Sequence, residues 1–145
     1  MATHTLETAI DAPRDIVFDV FANRERWHEF MPLRVKLIEP GATERQGVGA
    51  VWGLGVGSIG SVREQITQFV PNEAIAYAIV GGAPVRRHVG SITFADDPRG
   101  TLVSYTMESE PSVPLPRMIL TLGLRLAIAT MVRRGAHAAR ERQLS

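Results

Sequence analysis

The fold is decided by the stretch Ile10-Asp11-Ala12-Pro13-Arg14-Asp15-Ile16-Val17-Phe18-Asp19-Val20-Phe21, which is soon followed by Arg26-Trp27-His28-Glu29-Phe30-Met31-Pro32. Pro13 suits the first turn of a helix because the N–H that proline lacks has no intrahelical partner there. Asp11 is placed to accept hydrogen bonds as the N-cap. We therefore expect a strand ending near Ile10, a proline-started helix, a second short helix that carries Trp27, and a proline stop before the next strand.

The length and composition of the chain restrict its class. A chain of 145 residues predicts one domain, residues 1–145, that can bury a core without staples. The absence of cysteine excludes disulfides and thiolate metal sites, and 16 Lys and Arg against 15 Asp and Glu indicate no nucleic-acid surface. The first ten residues do not form an apolar signal segment, so we expect a cytoplasmic protein.

The middle of the chain carries closely spaced turn signals, which favour consecutive antiparallel hairpins. We predict seven strands in all: Thr3–Ile10, Leu33–Glu39, Val48–Val56, Ile59–Val70, Glu73–Val80, Val85–Ala95 and Thr101–Ser109. Side chains alternate between the two faces of a strand. One face of the sheet is therefore expected to be apolar, with Ile92, Phe94, Tyr105 and Met107 on it, and the other face to be solvated.

The C-terminal segment from Arg117 to about Arg142 predicts one long helix, which is the element long enough to cover the apolar face. Its apolar part, Met118–Val132, is shorter than the roughly 20 residues that span a bilayer, so we expect a core helix and no transmembrane segment. Arginines in its last turns suit the negative end of the helix dipole. A weak, transient contact with an anionic membrane is the alternative explanation.

Several polar residues are expected on the apolar face. Glu64 is a candidate general acid or base, or else a paired structural carboxylate. His88, Tyr77 and Tyr105 are expected to cluster, either to orient a ligand or to form hydrogen bonds inside the core. No catalytic residue can be assigned, because no base appears together with its orienting group.

Aromatic and apolar residues supply the remaining candidates. Trp27 and Phe30 add aromatic area from the second short helix and can close the core, and Trp52 and Leu54 add apolar area on one strand. Gly55-Val56-Gly57-Ser58-Ile59-Gly60 matches G-x-G-x-x-G, but a strand follows it where a dinucleotide site requires a helix. Four scattered histidines lack metal-ligand spacing. We therefore expect no cofactor and no metal.

The chain resembles the START/Bet v 1-like superfamily from end to end, and especially its polyketide cyclase/dehydrase and lipid-transport branch. The resemblance rests on the Ala12-Pro13 helix start, the Arg26-Trp27 helix, the Glu64-Gln65-Ile66 strand ending at Val70-Pro71, and the long C-terminal helix. It implies an α+β helix-grip fold: a curved antiparallel sheet of about seven strands around that helix, with two short helices after the first strand. It also implies that Trp27, Phe30 and Met31 form a gate at a cavity mouth, and closure of the core is the alternative placement.

We expect the protein to bind a small hydrophobic molecule, such as a lipid, a polyketide or a quinone-like compound, in a cavity between the sheet and the C-terminal helix. A polyketide cyclase or dehydratase using the same cavity is the alternative, and an interaction module whose helix pairs with another subunit is a third; the protein is expected to be a monomer or a homodimer. The predicted ligand-binding residues are Trp27, Phe30, Trp52, Leu54, Glu64, Tyr77, His88, Ile92, Phe94, Tyr105, Met107, Leu122 and Leu126.

Overall fold

The structure, a computed structural model, describes residues 1–56 and 59–144. Two α-helices and a 3₁₀ helix accompany seven strands in this part of the chain. The elements in chain order are β1 (Ala2–Ile10), α1 (Arg14–Ala22), the 3₁₀ helix (Arg24–Glu29), β2 (Arg34–Glu39), β3 (Val51–Val56), β4 (Ile59–Val70), β5 (Ala74–Gly81), β6 (Val85–Asp97), β7 (Gly100–Pro111) and α2 (Arg117–Leu144).

The strands form one antiparallel sheet in the order β1-β7-β6-β5-β4-β3-β2. Sequential hairpins build β2 to β7, and β1 closes the far edge by pairing with β7. Helix α2 packs against β1, β7 and α1. The α+β helix-grip architecture predicted from the sequence is confirmed, and two local predictions are corrected below.

The start of α1 differs from the prediction. Pro13 itself is the N-cap residue, with φ −60° and ψ 150°, and no side chain caps the helix. Asp11 is therefore not the N-cap, because the helix begins at Arg14, two positions beyond Ala12, which would follow an N-cap at residue 11. Of the glycine motif, Gly55 and Val56 end β3, and Ile59 and Gly60 begin β4, so a strand follows the motif; Gly57 and Ser58 are outside the described residues.

One face of the sheet, which we call the concave face, carries the core. Ladder pairs place Ile92 opposite Tyr105, Gly90 opposite Met107, and Tyr77 opposite Gly90, as period-two alternation predicts. Phe18 of α1 stands edge-on to both Phe94 and Phe69, at centroid distances of 5.2 and 5.5 Å. This end of the concave face is thereby closed by α1.

The docking face of α2 is the second correction. The helix buries Leu124, Ile128, Met131 and Val132, whereas Leu122 and Leu126 are exposed. An α-helix advances about 100° per residue, so a residue two positions from Leu124 points to the opposite side. The prediction that Leu122 and Leu126 face the sheet is therefore wrong. No helix in residues 1–56 and 59–144 is long and apolar enough to cross a membrane.

Candidate functional site

The centre of the candidate site is a buried ion pair that crosses the fold. Arg24, the first residue of the 3₁₀ helix, extends into the concave face, and its Nη1 donates to Glu64 Oε1 at 2.5 Å. The Arg24 side chain is 3% exposed and that of Glu64 12%. Charges at this depth are expensive unless they are paired, so each of these groups depends on the other.

Two aromatic rings enclose the Arg24 guanidinium. Its central carbon lies 4.5 Å from the ring centroid of Trp27 and 5.1 Å from that of Tyr77. Such stacking stabilises a desolvated cation. Trp27 is itself fixed by its indole N–H, which donates to the backbone oxygen of Val20 at 3.1 Å.

A loop residue positions Arg24 from the other side. The Gln46 side-chain oxygen accepts a hydrogen bond from the Arg24 backbone N–H, and its amide nitrogen donates to Asn23. These two bonds attach the loop before β3 to the junction between α1 and the 3₁₀ helix. The direction in which Arg24 leaves the backbone is thus held by a residue distant in sequence.

Two tyrosines lie beyond the ion pair. The hydroxyls of Tyr77 and Tyr105 form a buried hydrogen bond of 2.7 Å. Burial raises the pKa of each phenol above the ordinary value of 10.0, so both stay protonated at neutral pH. They are donors and acceptors of hydrogen bonds, and neither is a ready source of negative charge.

His88 stands at the accessible side of this cluster. Its ring centroid is 6.5 Å from that of Tyr77, and the residue is half-buried. Burial lowers the pKa of His88 below 6.5, and the negative charge of Glu64 partly opposes this. The imidazole is therefore neutral at pH 7, with one nitrogen able to accept a proton.

Five half-buried residues of β3 to β6 lie around the ion pair and form a surface that we call the concave patch: Leu54, Val62, Glu64, Ile79 and His88. Leu54 pairs with Val62 across β3 and β4, and Glu64 with Ile79 across β4 and β5. Next to it, the buried indole N–H of Trp52 has no hydrogen-bond partner among the described residues. The concave patch thus combines apolar side chains with one carboxylate and one imidazole.

A family model described as polyketide cyclase/dehydrase and lipid transport matches residues 1–143. The chain belongs to this family. No curated protein sequence gives a significant match to this chain.

Solved structures share its fold at low sequence identity. A START superfamily protein from Mycobacterium smegmatis superposes with a TM-score of 0.79 at 15% identity, covering 99% of this chain and 98% of its own. The Zhui aromatase/cyclase from a Streptomyces species gives 0.76 at 19% identity, with 97% and 93% covered. The protein Ara h 8.0201 gives 0.74 at 14% identity, with 94% and 97% covered.

The structure brings together some of the predicted ligand-binding residues of this family member and separates others. Glu64, Tyr77, His88 and Tyr105 form the cluster, with Trp27 beside it. Trp52, Ile92, Phe94 and Met107 are buried on the same face, Phe30 and Leu54 are half-buried, and Leu122 and Leu126 lie on the outside.

Trp27 is 4% exposed. Of the two placements predicted for it, a gate at a cavity mouth or a position that closes the core, the structure has the second. The Arg24 guanidinium lies among the buried residues, between the rings of Trp27 and Tyr77. A surface groove of about 760 Å³ between the 3₁₀ helix and the end of α2 includes Phe30, and a pocket of about 290 Å³ at β2 and β3 includes Leu54. No other predicted ligand-binding residue lines either one.

Arg24 and Gln46 are the residues of the candidate site that sequence reasoning missed. Arg24 belongs to the polar run Asn23-Arg24-Glu25-Arg26, where no pattern marks one cation for burial. The one indication in the sequence is Glu64 on an apolar face, because a buried carboxylate is normally paired with a cation. In the described ranges, no cluster of three or more metal-ligating side chains is present.

Proposed function

We propose that the protein binds a small hydrophobic ligand, of the lipid, polyketide or quinone-like class, on the concave patch. The observation that carries this proposal is the buried Arg24–Glu64 pair set in an otherwise apolar face. A buried ion pair contributes little net stability compared with packed apolar residues. Folding stability alone therefore does not explain why these two charges are buried here. A site that must orient a ligand by a polar group gives a direct reason.

Each part of the concave patch has a role in this proposal. Leu54, Val62 and Ile79 contact the apolar body of the ligand and displace water from it. Glu64 and His88 meet its polar group, Glu64 as a hydrogen-bond acceptor and His88 through either ring nitrogen. Arg24 holds the Glu64 carboxylate in place. The ligand gains its room by displacing half-buried side chains at this end of the sheet.

Adjacent residues on β5 provide a matched test. Ile79 belongs to the concave patch, whereas its neighbour Val80 lies outside the patch and is 50% exposed. Titration with a fluorescent fatty acid should show that Ile79→Asp weakens binding by roughly tenfold or more, on the scale of losing one buried apolar side chain, while Val80→Asp binds like the parent. Equal effects of the two substitutions, or no binding by the parent, would contradict the proposal.

Native mass spectrometry of the protein purified from its source tests the ligand class directly. A retained species that dissociates in organic solvent, and that Ile79→Asp no longer retains, is the expected result. We propose further that the protein is cytoplasmic and acts as a monomer or homodimer.

A polyketide cyclase or dehydratase is the second candidate, favoured by the neutral His88 beside Glu64 and two protonated phenols. In a carrier, His88→Gln should alter affinity by only about 0.5–1.5 kcal/mol, the contribution of one hydrogen bond. In an enzyme, the same change should leave binding intact and reduce turnover by about 10²-fold, as expected for a lost general acid or base. Calorimetry beside turnover of an aromatic polyketide precursor distinguishes these outcomes.

A further inference from the structure

The outer side of α2 is apolar where a helix on a folded protein is normally polar. Met118 is 83% exposed, and Ile119, Leu122 and Leu126 are each more than half exposed. Val113 and Leu115, in the segment before the helix, are exposed as well. Within the helix, Leu122 follows Ile119 by three residues and Met118 by four, and Leu126 follows Leu122 by four, so these side chains share one side of the helix. Together with Val113 and Leu115 they form the surface that we call the outer stripe.

The same side of the helix continues as a basic surface. At about 100° per residue, Arg133 and Arg140 project in the same direction as Leu122 and Leu126. The segment from Arg117 to Arg140 contains five arginines and no Asp or Glu. In the described part of the chain, Arg117, Arg125, Arg133 and Arg140 form no ion pair with an acidic side chain.

We propose that the outer stripe docks on an anionic bilayer surface, with α2 lying in the plane of the membrane. Apolar side chains on one helix face insert at the interface, while neighbouring arginines contact lipid phosphates, the pattern of interfacial helices. A second copy of this chain is a less suitable occupant, because a symmetric contact would bring two acid-free arginine segments together. The inference does not depend on the ligand proposed above.

Vesicle flotation tests both halves of the surface. The parent should bind vesicles of phosphatidylcholine with an equal share of phosphatidylglycerol, bind phosphatidylcholine alone far less, and be released by high salt. Leu122→Ser with Leu126→Ser should lower partitioning by roughly tenfold or more. Arg133→Gln with Arg140→Gln should do so by a similar factor.

Matched controls lie on the sheet. Val80→Ser removes an equally exposed apolar side chain, and Lys36→Gln with Arg63→Gln removes two exposed cations; neither should change binding. Binding that resists both α2 variants, equal binding to the two vesicle types, or loss of binding in the controls would overturn the proposal. So would a concentration-dependent dimer, in the absence of lipid, that Leu122→Ser with Leu126→Ser abolishes.

The absence of cysteine allows a direct measurement of depth. A polarity-sensitive fluorophore attached through Leu122→Cys should shift to shorter wavelength when the anionic vesicles are added, and one attached through Val80→Cys should not. Equal shifts at the two positions, or none at position 122 of a vesicle-bound protein, would assign the contact to another face.

Discussion

The ring of Tyr77 lies over Gly90 on the neighbouring strand, in the space that a β-carbon on residue 90 would occupy. Gly90 has no positive φ, so its small size alone makes it necessary here. Because the ring crosses β6 at this point, its hydroxyl reaches Tyr105 on β7. The absence of a side chain at Gly90 thus permits the hydrogen bond that links β5 to β7 across β6 inside the candidate site.

Gly90→Ala should therefore destabilise the protein by about 1–3 kcal/mol, the usual cost of overpacking, and separate the two hydroxyls. Urea denaturation measures the free energy of unfolding. Gly123→Ala is the control, because a β-carbon there meets nothing within 4 Å and should add up to about 1 kcal/mol of helix stability. An equal response of the two variants would mean that Tyr77 does not depend on Gly90.

Removing the Glu64 charge should leave the Arg24 guanidinium buried without a partner. Glu64→Gln is expected to cost about 3–5 kcal/mol, and Arg24→Met added to Glu64→Gln should recover most of that loss. Glu29→Gln breaks the exposed pair with Arg26 and should change stability little. If the double variant is no more stable than Glu64→Gln alone, the two groups are not coupled as the geometry indicates.

Stability should depend on pH through His88. The pKa of His88 in the folded state lies below the unfolded value of 6.5, because burial disfavours the charged ring. The unfolded chain therefore binds the proton more tightly, so stability is complete above pH 6.5 and falls as the pH decreases toward the folded pKa. His88→Gln should flatten this part of a stability curve measured by urea titration; a curve that keeps its shape in this variant would contradict the prediction.

The orientation of α2 predicts opposite outcomes for two neighbouring leucines. Leu124→Asp places a charge against the sheet and should cost at least about 3 kcal/mol or prevent folding. Leu126→Asp lies on the exposed side and should cost about 1 kcal/mol or less. Thermal unfolding of both variants decides the matter; a larger loss for Leu126→Asp would mean that the helix docks by the other face.

Local patterns in the sequence were sufficient for the elements and for the faces of the sheet. Turn signals separated the strands, and period-two alternation placed Tyr77, His88, Ile92 and Tyr105 on one face, because each strand exposes alternate residues to one core. Glu64 was recognisable as a polar residue on that face for the same reason. The long helix was evident because nothing after Pro116 except two glycines interrupts it.

The tertiary structure alone decided which side of α2 faces the sheet and which cation joins the site. Residues 118–132 are apolar almost all around the helix, so their periodicity carries no information about orientation, and Leu122 was indistinguishable from Leu124. Arg24 is buried because Glu64, 40 residues away in sequence, lies opposite it in space between two aromatic rings. The burial of a charge depends on a partner that is distant in sequence, so a local sequence pattern cannot predict which charge is buried.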